Sequence, residues 1–228
     1  IRTVRRQITQ PVTTDDNWKA WAEMPAVITN EVDFASIHTY PILDTFFDPK
    51  LFDWRQKDVA EATRAAAMMD AAFAEAKLQY EKTRAAFDAK GLSYIPITVG
   101  ETGWNVIDPR LTFRAHPVNQ KMYLDRLLAW AQEGRNGAGP KAVFYFSAFD
   151  EQWKQSDDGW GLFNKDRQAR YAIRSLNANN SPAGTATWRW APGTCTDADA
   201  LYFVPPQVKD PIGQSRYTLF SDVAAGAS

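Results

Sequence analysis

The chain has 228 residues, 45% of them hydrophobic, which is enough material to build the core of one large domain. Its 26 basic and 27 acidic residues give a net charge of -1, so the composition does not favour a nucleic-acid partner. The single cysteine excludes an internal disulfide and a Cys-rich zinc module, and two histidines leave little material for a His-based metal site, so we expect no metal and no cofactor. No run approaches the roughly 18 apolar residues of a bilayer span, and we expect no membrane insertion.

Short apolar segments alternate with longer amphipathic segments four times along residues 1–176. The predicted strands cover residues 4–12, 32–40, 94–99 and 141–149. The first predicted helix is a short one that Asp15 or Asp16 would cap, and the others cover 58–90, 117–133 and 166–176. This alternation predicts an α/β fold in which parallel strands are joined by right-handed helical crossovers.

The composition changes after Leu176, where residues 177–184 are rich in Asn, Ser, Pro and Gly and are predicted to form a linker. Residues 185–228 carry two aromatic clusters among prolines, and their pattern assigns no fold. The expected organisation is therefore a domain over 1–176, a linker over 177–184 and a tail of unknown fold over 185–228.

The carboxyl ends of parallel strands meet at one rim, and the side chains that follow the predicted strands are candidates for a site there. Carboxylates and aromatic rings both occur in this set, and flat rings with a polar edge suit a sugar, which is apolar on its faces and hydroxylated at its rim. The candidates are His38, Tyr40, Glu101, Trp104, Phe149, Glu151, Trp153, Lys154, Asp157 and Trp160.

Glu101 is the candidate catalytic residue, because it directly follows a predicted strand. Gly100 would let a ligand approach the strand end closely, and Trp104 would supply a stacking face. A carboxylate in this place could attack carbon. It could equally form a structural ion pair with an arginine such as Arg110 or Arg114, and the residues alone leave both alternatives open.

Three ordered motifs carry a family resemblance: HTYP at 38–41, GETGW at 100–104, and FDEQWK at 149–154 followed by GWGLFN at 159–164. Together they resemble glycoside hydrolase family 17, the β-1,3-glucanase and glucan-transferring family, in its bacterial-like form. The resemblance implies a (β/α)8 TIM barrel of which this chain supplies strands 5–8, and a reaction that retains anomeric configuration. It also implies that Glu101 is the nucleophile, that Tyr40 lies near the reacting sugar, and that Glu151 and Lys154 follow the last strand.

The acid/base glutamate of such a barrel lies at the end of its fourth strand, and the pair Asn30-Glu31 resembles it. Glu31, however, precedes the strand predicted over 32–40, whose length of roughly 25 Å would separate it from the catalytic end. A retaining pair needs carboxyl groups about 5–5.5 Å apart. We therefore expect the acid/base upstream of Ile1 and the chain to be the carboxyl-terminal half of a barrel, with open sheet edges that favour self-association.

The expected function is that of a retaining glycoside hydrolase on β-1,3-glucan, by hydrolysis or transglycosylation, with Trp104, Trp153, Trp160 and Tyr40 as stacking subsites. The alternative is a catalytically silent half-barrel that binds glucan. The expected partner in both cases is a β-glucan oligo- or polysaccharide. The family resemblance implies a secreted, periplasmic or cell-envelope location, and His38 is expected to be a polar barrel residue rather than a metal ligand.

Overall fold

The computed structural model describes residues 1–108, 114–137, 139–151, 153, 154, 159–164 and 169–173, and the residue pairs 203–204 and 218–219. The chain divides into two compact units. The first, here called the sheet unit, comprises Ile1–Pro41, Phe73–Thr102 and Arg126–Tyr145. The second unit comprises Ile42–Ala72, Gly103–Asp125 and Phe146–Ser228.

The sheet unit is built on four parallel strands that stand side by side in chain order. They are β1 (Asp15–Asn17), β2 (Ala35–Thr39), β3 (Ile97–Thr102) and β4 (Val143–Tyr145). Sequential order is the order of strands in a (β/α)8 barrel, whereas a doubly wound sheet reverses its order at a switch point. The predicted parallel α/β fold is confirmed, and its topology is that of part of a barrel.

Helices occupy most of the segments between the strands. They are α1 (Arg2–Arg5), α2 (Trp18–Glu23), α3 (Ala26–Thr29), α4 (Pro41–Phe47), α5 (Arg64–Ala89) and α6 (Pro117–Arg135), with a 3-10 turn at Glu61–Thr63. The predicted long helix is confirmed as α5, and Gly91, at φ +72°, ends it in the left-handed conformation that glycine adopts readily. The predicted helix over 117–133 is confirmed as α6.

The predicted strand over residues 4–12 is wrong, because helix α1 occupies its beginning and the first strand starts at Asp15. Arg2 and Arg5 bind carboxylates instead, at 2.8 Å from Glu31 and 2.9 Å from Asp33. Since Asp15 lies in β1, the cap of α2 is Asn17, whose side chain accepts a hydrogen bond from the backbone N–H of Lys19.

Two further boundaries differ from the prediction. Helix α4 was not expected, although Pro41 suits a first helical turn, where its missing N–H costs nothing. The third strand begins at Ile97 and continues through Thr102, so that Glu101 belongs to the strand itself. Of the helix predicted over 166–176, residues 171–173 are helical and most of the remainder lies outside the described residues.

The core of the sheet unit lies between the strands and the helices that cover them. Ile37 and Val99 are fully buried, and the indole of Trp21 donates a 2.6 Å hydrogen bond to the Ser36 carbonyl. The ring of Phe87 lies 6.0 Å from that of Trp21. These contacts bury one side of β2 and β3 against helices, which leaves the opposite side of those strands for polar side chains.

None of the described helices is both long and apolar enough to cross a bilayer. In the tail, the described part is one antiparallel pair, β5 (Phe203–Val204) with β6 (Thr218–Leu219). The linker predicted over 177–184 lies outside the described residues, and the domain boundary stays a prediction.

Candidate active site

Glu101 lies near the carboxyl end of β3, opposite His38 of β2. The Tyr40 hydroxyl donates a 2.9 Å hydrogen bond to Oε2 of Glu101, and Nδ1 of His38 lies 3.5 Å from the same oxygen. The side chain of Glu101 is 33% exposed, so that it is open to a ligand. Among the described residues, nothing hydrogen-bonds its other oxygen, Oε1. One carboxylate oxygen is thus held and the other is available for reaction.

Asp15 of β1 completes this cluster from the far side of His38. Its Oδ2 lies 2.9 Å from Nε2 of His38, so a carboxylate faces each nitrogen of the imidazole ring. Asp15 pairs with Ser36, two residues before His38, and therefore lies toward the amino end of the strands relative to Glu101. Asp15 is therefore placed to support His38, on the amino-terminal side of the candidate nucleophile.

Gly100 is required by this packing. The register of β2 and β3 shifts between Ile37 and His38, which leaves Gly100 as an extra residue in β3. A Cβ at this position would lie 2.0 Å from Oγ of Ser36 and 2.4 Å from Oδ1 of Asp15. The space beside Gly100, which the sequence predicts to be open to a ligand, is occupied by the side chains of Ser36 and Asp15.

The described partners of Glu101 are thus a phenol and an imidazole, not an arginine guanidinium. Arg114, in the second unit, lies over the ring of Trp54 at 5.0 Å. Burial lowers the pKa of Arg114 to about 10, with Asp108 acting in the opposite direction. The guanidinium stays charged at neutral pH. Arg110, the other arginine considered, lies outside the described residues.

Glu31 lies in the turn before β2, as the sequence predicted, and its Oε1 accepts a 2.8 Å hydrogen bond from Arg2. That hydrogen bond, more than any other influence, lowers the pKa of Glu31. A general acid in a glycosidase needs the opposite shift, because it must carry a proton near neutral pH. Electrostatics therefore agree with position in removing Glu31 from the candidates for the acid/base.

Trp104 does not have the surface role predicted for it. It is completely buried in the second unit, where its ring lies 5.4 Å from that of Tyr123 and its Nε1 donates a 2.7 Å hydrogen bond to the Arg114 carbonyl. A ring with no exposed face cannot stack on a sugar. We therefore correct the prediction: Trp104 is a core residue that fixes the segment after β3.

Three of the predicted binding residues, Glu151, Lys154 and Trp160, come together in the second unit around Phe146. Lys154 forms an ion pair with Glu151, and its Nζ lies 4.8 Å from the centre of the Phe146 ring. The Trp160 ring meets Phe146 edge to face at 6.2 Å. The group combines both signs of charge with aromatic surface.

The remaining predicted residues are less closely associated. Trp153 is 78% exposed, and the ring of Phe149 is partly exposed and lies 5.4 Å from that of Phe163. Asp157 lies outside the described residues. Beneath this surface, Asp150 forms a buried ion pair with Arg170 and accepts a 2.7 Å hydrogen bond from the backbone of Gly161.

Sequence reasoning missed Asp15. The pair Asp15-Asp16 before a helix predicts a helix cap, because acidic residues in that place commonly have that role. Its membership of the cluster depends on register between strands, and no local spacing reports that register. The short polar strand Asp15–Asn17 has no apolar alternation from which it could have been recognised.

The fold and this site define a class of protein, the α/β-barrel proteins with a carboxylate at the mouth of the barrel. An endo-laminarinase from Formosa Hel1_33_131 shares the fold, with a TM-score of 0.65 and 23% identity over 77% of this chain and 49% of that one. The model of glycosyl hydrolases family 17 matches residues 54–175, and the chain belongs to this family. The resemblance carried by the three motifs is thereby confirmed.

A second solved structure, the family 17 β-1,3-glucanosyltransferase from Rhizomucor miehei, has 22% identity over 75% of this chain and 52% of that chain, with a TM-score of 0.46. The chain thus spans about half the length of these two proteins. No curated protein matches it.

Proposed function

We propose that the chain forms the nucleophile-bearing part of a retaining glycoside hydrolase or transglycosylase that acts on β-1,3-linked glucan. Membership of family 17 supports the reaction class. The proposal depends on one observation about Glu101. Tyr40 holds its Oε2 by a hydrogen bond, while the carboxylate stays part-exposed at a strand end. A held and accessible carboxylate is what nucleophilic attack requires.

In the proposed reaction, Oε1 of Glu101 attacks the anomeric carbon while the bond from that carbon to the leaving sugar oxygen breaks. The leaving oxygen takes a proton from an acid/base carboxyl group about 5–5.5 Å from Glu101. Water or a sugar hydroxyl then gives its proton to that group and displaces Glu101. On our proposal the acid/base belongs to the part of the barrel that these residues do not form.

Tyr40 and His38 would hold Glu101 during this exchange. A hydrogen bond from the Tyr40 hydroxyl fixes one carboxylate oxygen and so orients the other toward the sugar. Glu151, Trp153, Lys154, Trp160 and Phe149 would bind the glucan chain, and Asp157 remains a predicted contact. Exposed indole faces suit glucosyl rings because each ring presents an apolar face.

The test uses a fluorinated laminaribioside that carries a strongly activated leaving group, which departs without an acid catalyst. Wild-type protein should become covalently labelled, and peptide mass spectrometry should find the glycosyl group on the peptide that contains Glu101. Because the carboxamide of Glu101→Gln is a far poorer nucleophile, labelling by that variant should fall at least a thousandfold. Glu31→Gln is the matched control, since it changes a glutamate that pairs with Arg2 outside the site and should label at the wild-type rate.

Label on another residue, or unchanged labelling of Glu101→Gln, would overturn the nucleophile assignment. Binding of laminarin with no labelling at all would instead favour the silent glucan-binding protein. Product analysis by proton NMR tests the stereochemistry of the reaction. The first product should retain the anomeric configuration of the substrate, as is expected for attack by a carboxylate.

A further inference from the structure

We propose that Asp15, His38 and Glu101 form a binding site for a divalent transition-metal ion of the Zn²⁺ class. One ligand atom from each of the three residues lies within 4.8 Å of those of the other two. The three residues come from three neighbouring strands, β1, β2 and β3, so the sheet itself sets their spacing. Sequence spacing predicted no metal ligand at His38, because no carboxylate or second histidine lies at ligand spacing from it along the chain.

Each carboxylate lies at about the ligand spacing of one ion from a nitrogen of His38, although the two carboxylates face different nitrogens of the ring. Ligands about 2.1 Å from Zn²⁺ lie roughly 3.0 Å apart at a right angle and about 3.4 Å apart in a tetrahedron. His38 Nε2 and Asp15 Oδ2 are 2.9 Å apart, and His38 Nδ1 and Glu101 Oε2 are 3.5 Å apart. The imidazole uses one nitrogen for the metal, so the carboxylate that faces the other nitrogen must turn toward the ion.

Nε2 of His38 is the better donor of the two. This atom is buried and makes no hydrogen bond to a described residue, although Asp15 Oδ2 is only 2.9 Å away. The oxygen therefore lies off the axis along which the ring nitrogen would donate. An ion bound to both atoms at a right angle would itself lie off the line that joins them, which is consistent with this arrangement.

The donor set favours transition metals over Mg²⁺ and Ca²⁺, because imidazole nitrogen suits Zn²⁺, Cu²⁺ and Ni²⁺ whereas the alkaline-earth ions prefer oxygen. Two carboxylate ligands beside one imidazole ligand also suit a divalent cation, whose charge they balance. Asp15, His38 and Glu101 all keep part-exposed side chains, so an ion can enter and retain water in its open positions.

A bound ion would oppose the proposed function, on which this consequence rests. An ion bound to Oε2 of Glu101 would withdraw electron density from the carboxylate and so weaken its Oε1 as a nucleophile. Metal binding should therefore inhibit glycosyl transfer, and a chelator should restore it. The site would make the activity sensitive to free Zn²⁺.

The test is calorimetric titration of metal-free wild-type protein with Zn²⁺, without any glucan, so that it does not depend on the enzymatic activity. We expect one ion per chain, with His38→Gln and Asp15→Asn each weakening binding at least tenfold. Asp16→Asn is the matched control, because Asp16 is the exposed neighbour of Asp15 on the same strand and should leave the affinity unchanged. Mg²⁺ and Ca²⁺ should bind at least tenfold more weakly than Zn²⁺.

Absence of Zn²⁺ binding, or equal affinity in wild type and His38→Gln, would overturn the site. Should those variants not fold, electron paramagnetic resonance of wild-type protein with one equivalent of Cu²⁺ decides, because one coordinated imidazole gives a nitrogen hyperfine pattern. The other histidine, His116, is buried and its Nδ1 accepts the backbone N–H of Val118. A spectrum without nitrogen coupling would refute the proposal even if Glu101 is labelled as proposed above.

Discussion

Tyr40 and Glu101 are separated by 61 positions in the chain and joined by one hydrogen bond. Hydrogen bonds to charged groups contribute about 1.5–3 kcal/mol, more than those between neutral groups. The bond also distinguishes the two carboxylate oxygens from each other. A motif that contains only one of the two residues could not have shown this.

His116 shows how a single residue can connect pH to stability. It precedes α6, and its Nδ1 accepts a 3.1 Å hydrogen bond from the backbone N–H of Val118. Burial lowers its pKa from 6.5 to about 3. The ring is therefore neutral in the folded chain and must remain so in order to accept that bond.

We predict that stability falls as the pH drops from about 6.5 toward 3. Over that interval the unfolded chain binds a proton at His116 that the folded chain does not, so acid favours unfolding by at most about 1.4 kcal/mol per pH unit. Urea unfolding between pH 4 and 7 measures this slope. His116→Asn keeps a side-chain acceptor and does not titrate. The slope of its unfolding free energy against pH should therefore be smaller, by an amount that corresponds to at most one bound proton. An unchanged slope would contradict the assignment.

At the level of elements, the bulge at Gly100 determines which side chains of β3 lie on each face of the sheet. The extra residue shifts the register so that His38 pairs with Glu101, while Ile37 still pairs with Val99. Apolar residues thus face the helices, and the catalytic candidates share the polar side. Bulges recur beside active sites because they redirect a side chain in this way.

Gly100→Ala should disrupt this element. The added methyl group would meet Oγ of Ser36 at 2.0 Å and Asp15 at 2.4 Å. We expect the free energy of unfolding to fall by about 1–3 kcal/mol, as for other overpacked sites. Urea denaturation measures the change. Ser36→Ala combined with Gly100→Ala is the control, because it removes the closer of the two clashes and should recover part of the loss. No loss in the single variant would show that the strands shift freely.

A buried ion pair stabilises the segment after β4. Asp150 and Arg170 are both buried, and a buried charge that loses its partner costs about 3–5 kcal/mol. Asp150 also holds Gly161 through its other oxygen. The pair fixes the segment around Trp160, which is one of the proposed glucan contacts.

At the scale of the molecule, the described sheet has an edge strand on each side, β1 and β4. Unpaired edges present free N–H and C=O groups to other chains. Phe144, in the middle of β4, is 60% exposed, which adds apolar surface to that edge. Self-association through open edges stays a prediction from the sequence.

We predict that the chain associates in a concentration-dependent way and that Phe144→Lys reduces the association, because a lysine on an edge strand opposes pairing. Sedimentation velocity over a range of concentrations measures it. Val27→Lys is the matched control, since Val27 is 63% exposed and lies on helix α3 rather than on a strand. Equal association in both variants would show that the edge of β4 is not the contact.

Much of the fold was predictable because it depends on local spacing. The α5 and α6 segments carry long amphipathic patterns, and the strands β2, β3 and β4 carry β-branched or aromatic runs. The failures occurred where local signals compete. Residues 4–12 contain β-branched residues, but Arg2 and Arg5 find carboxylates in the turn before β2, and the segment pairs with no strand.

The sequence by itself determined the parallel α/β class, the long helices α5 and α6, the family, and Glu101 as the candidate nucleophile, because each follows from residues close together in the chain. Tertiary structure decided that Trp104 is core and that Asp15 joins His38 and Glu101 in one cluster. The physical reason is that burial and strand register arise from packing between distant segments. A side chain's role depends on which face it meets, and that face exists only when the chain has folded.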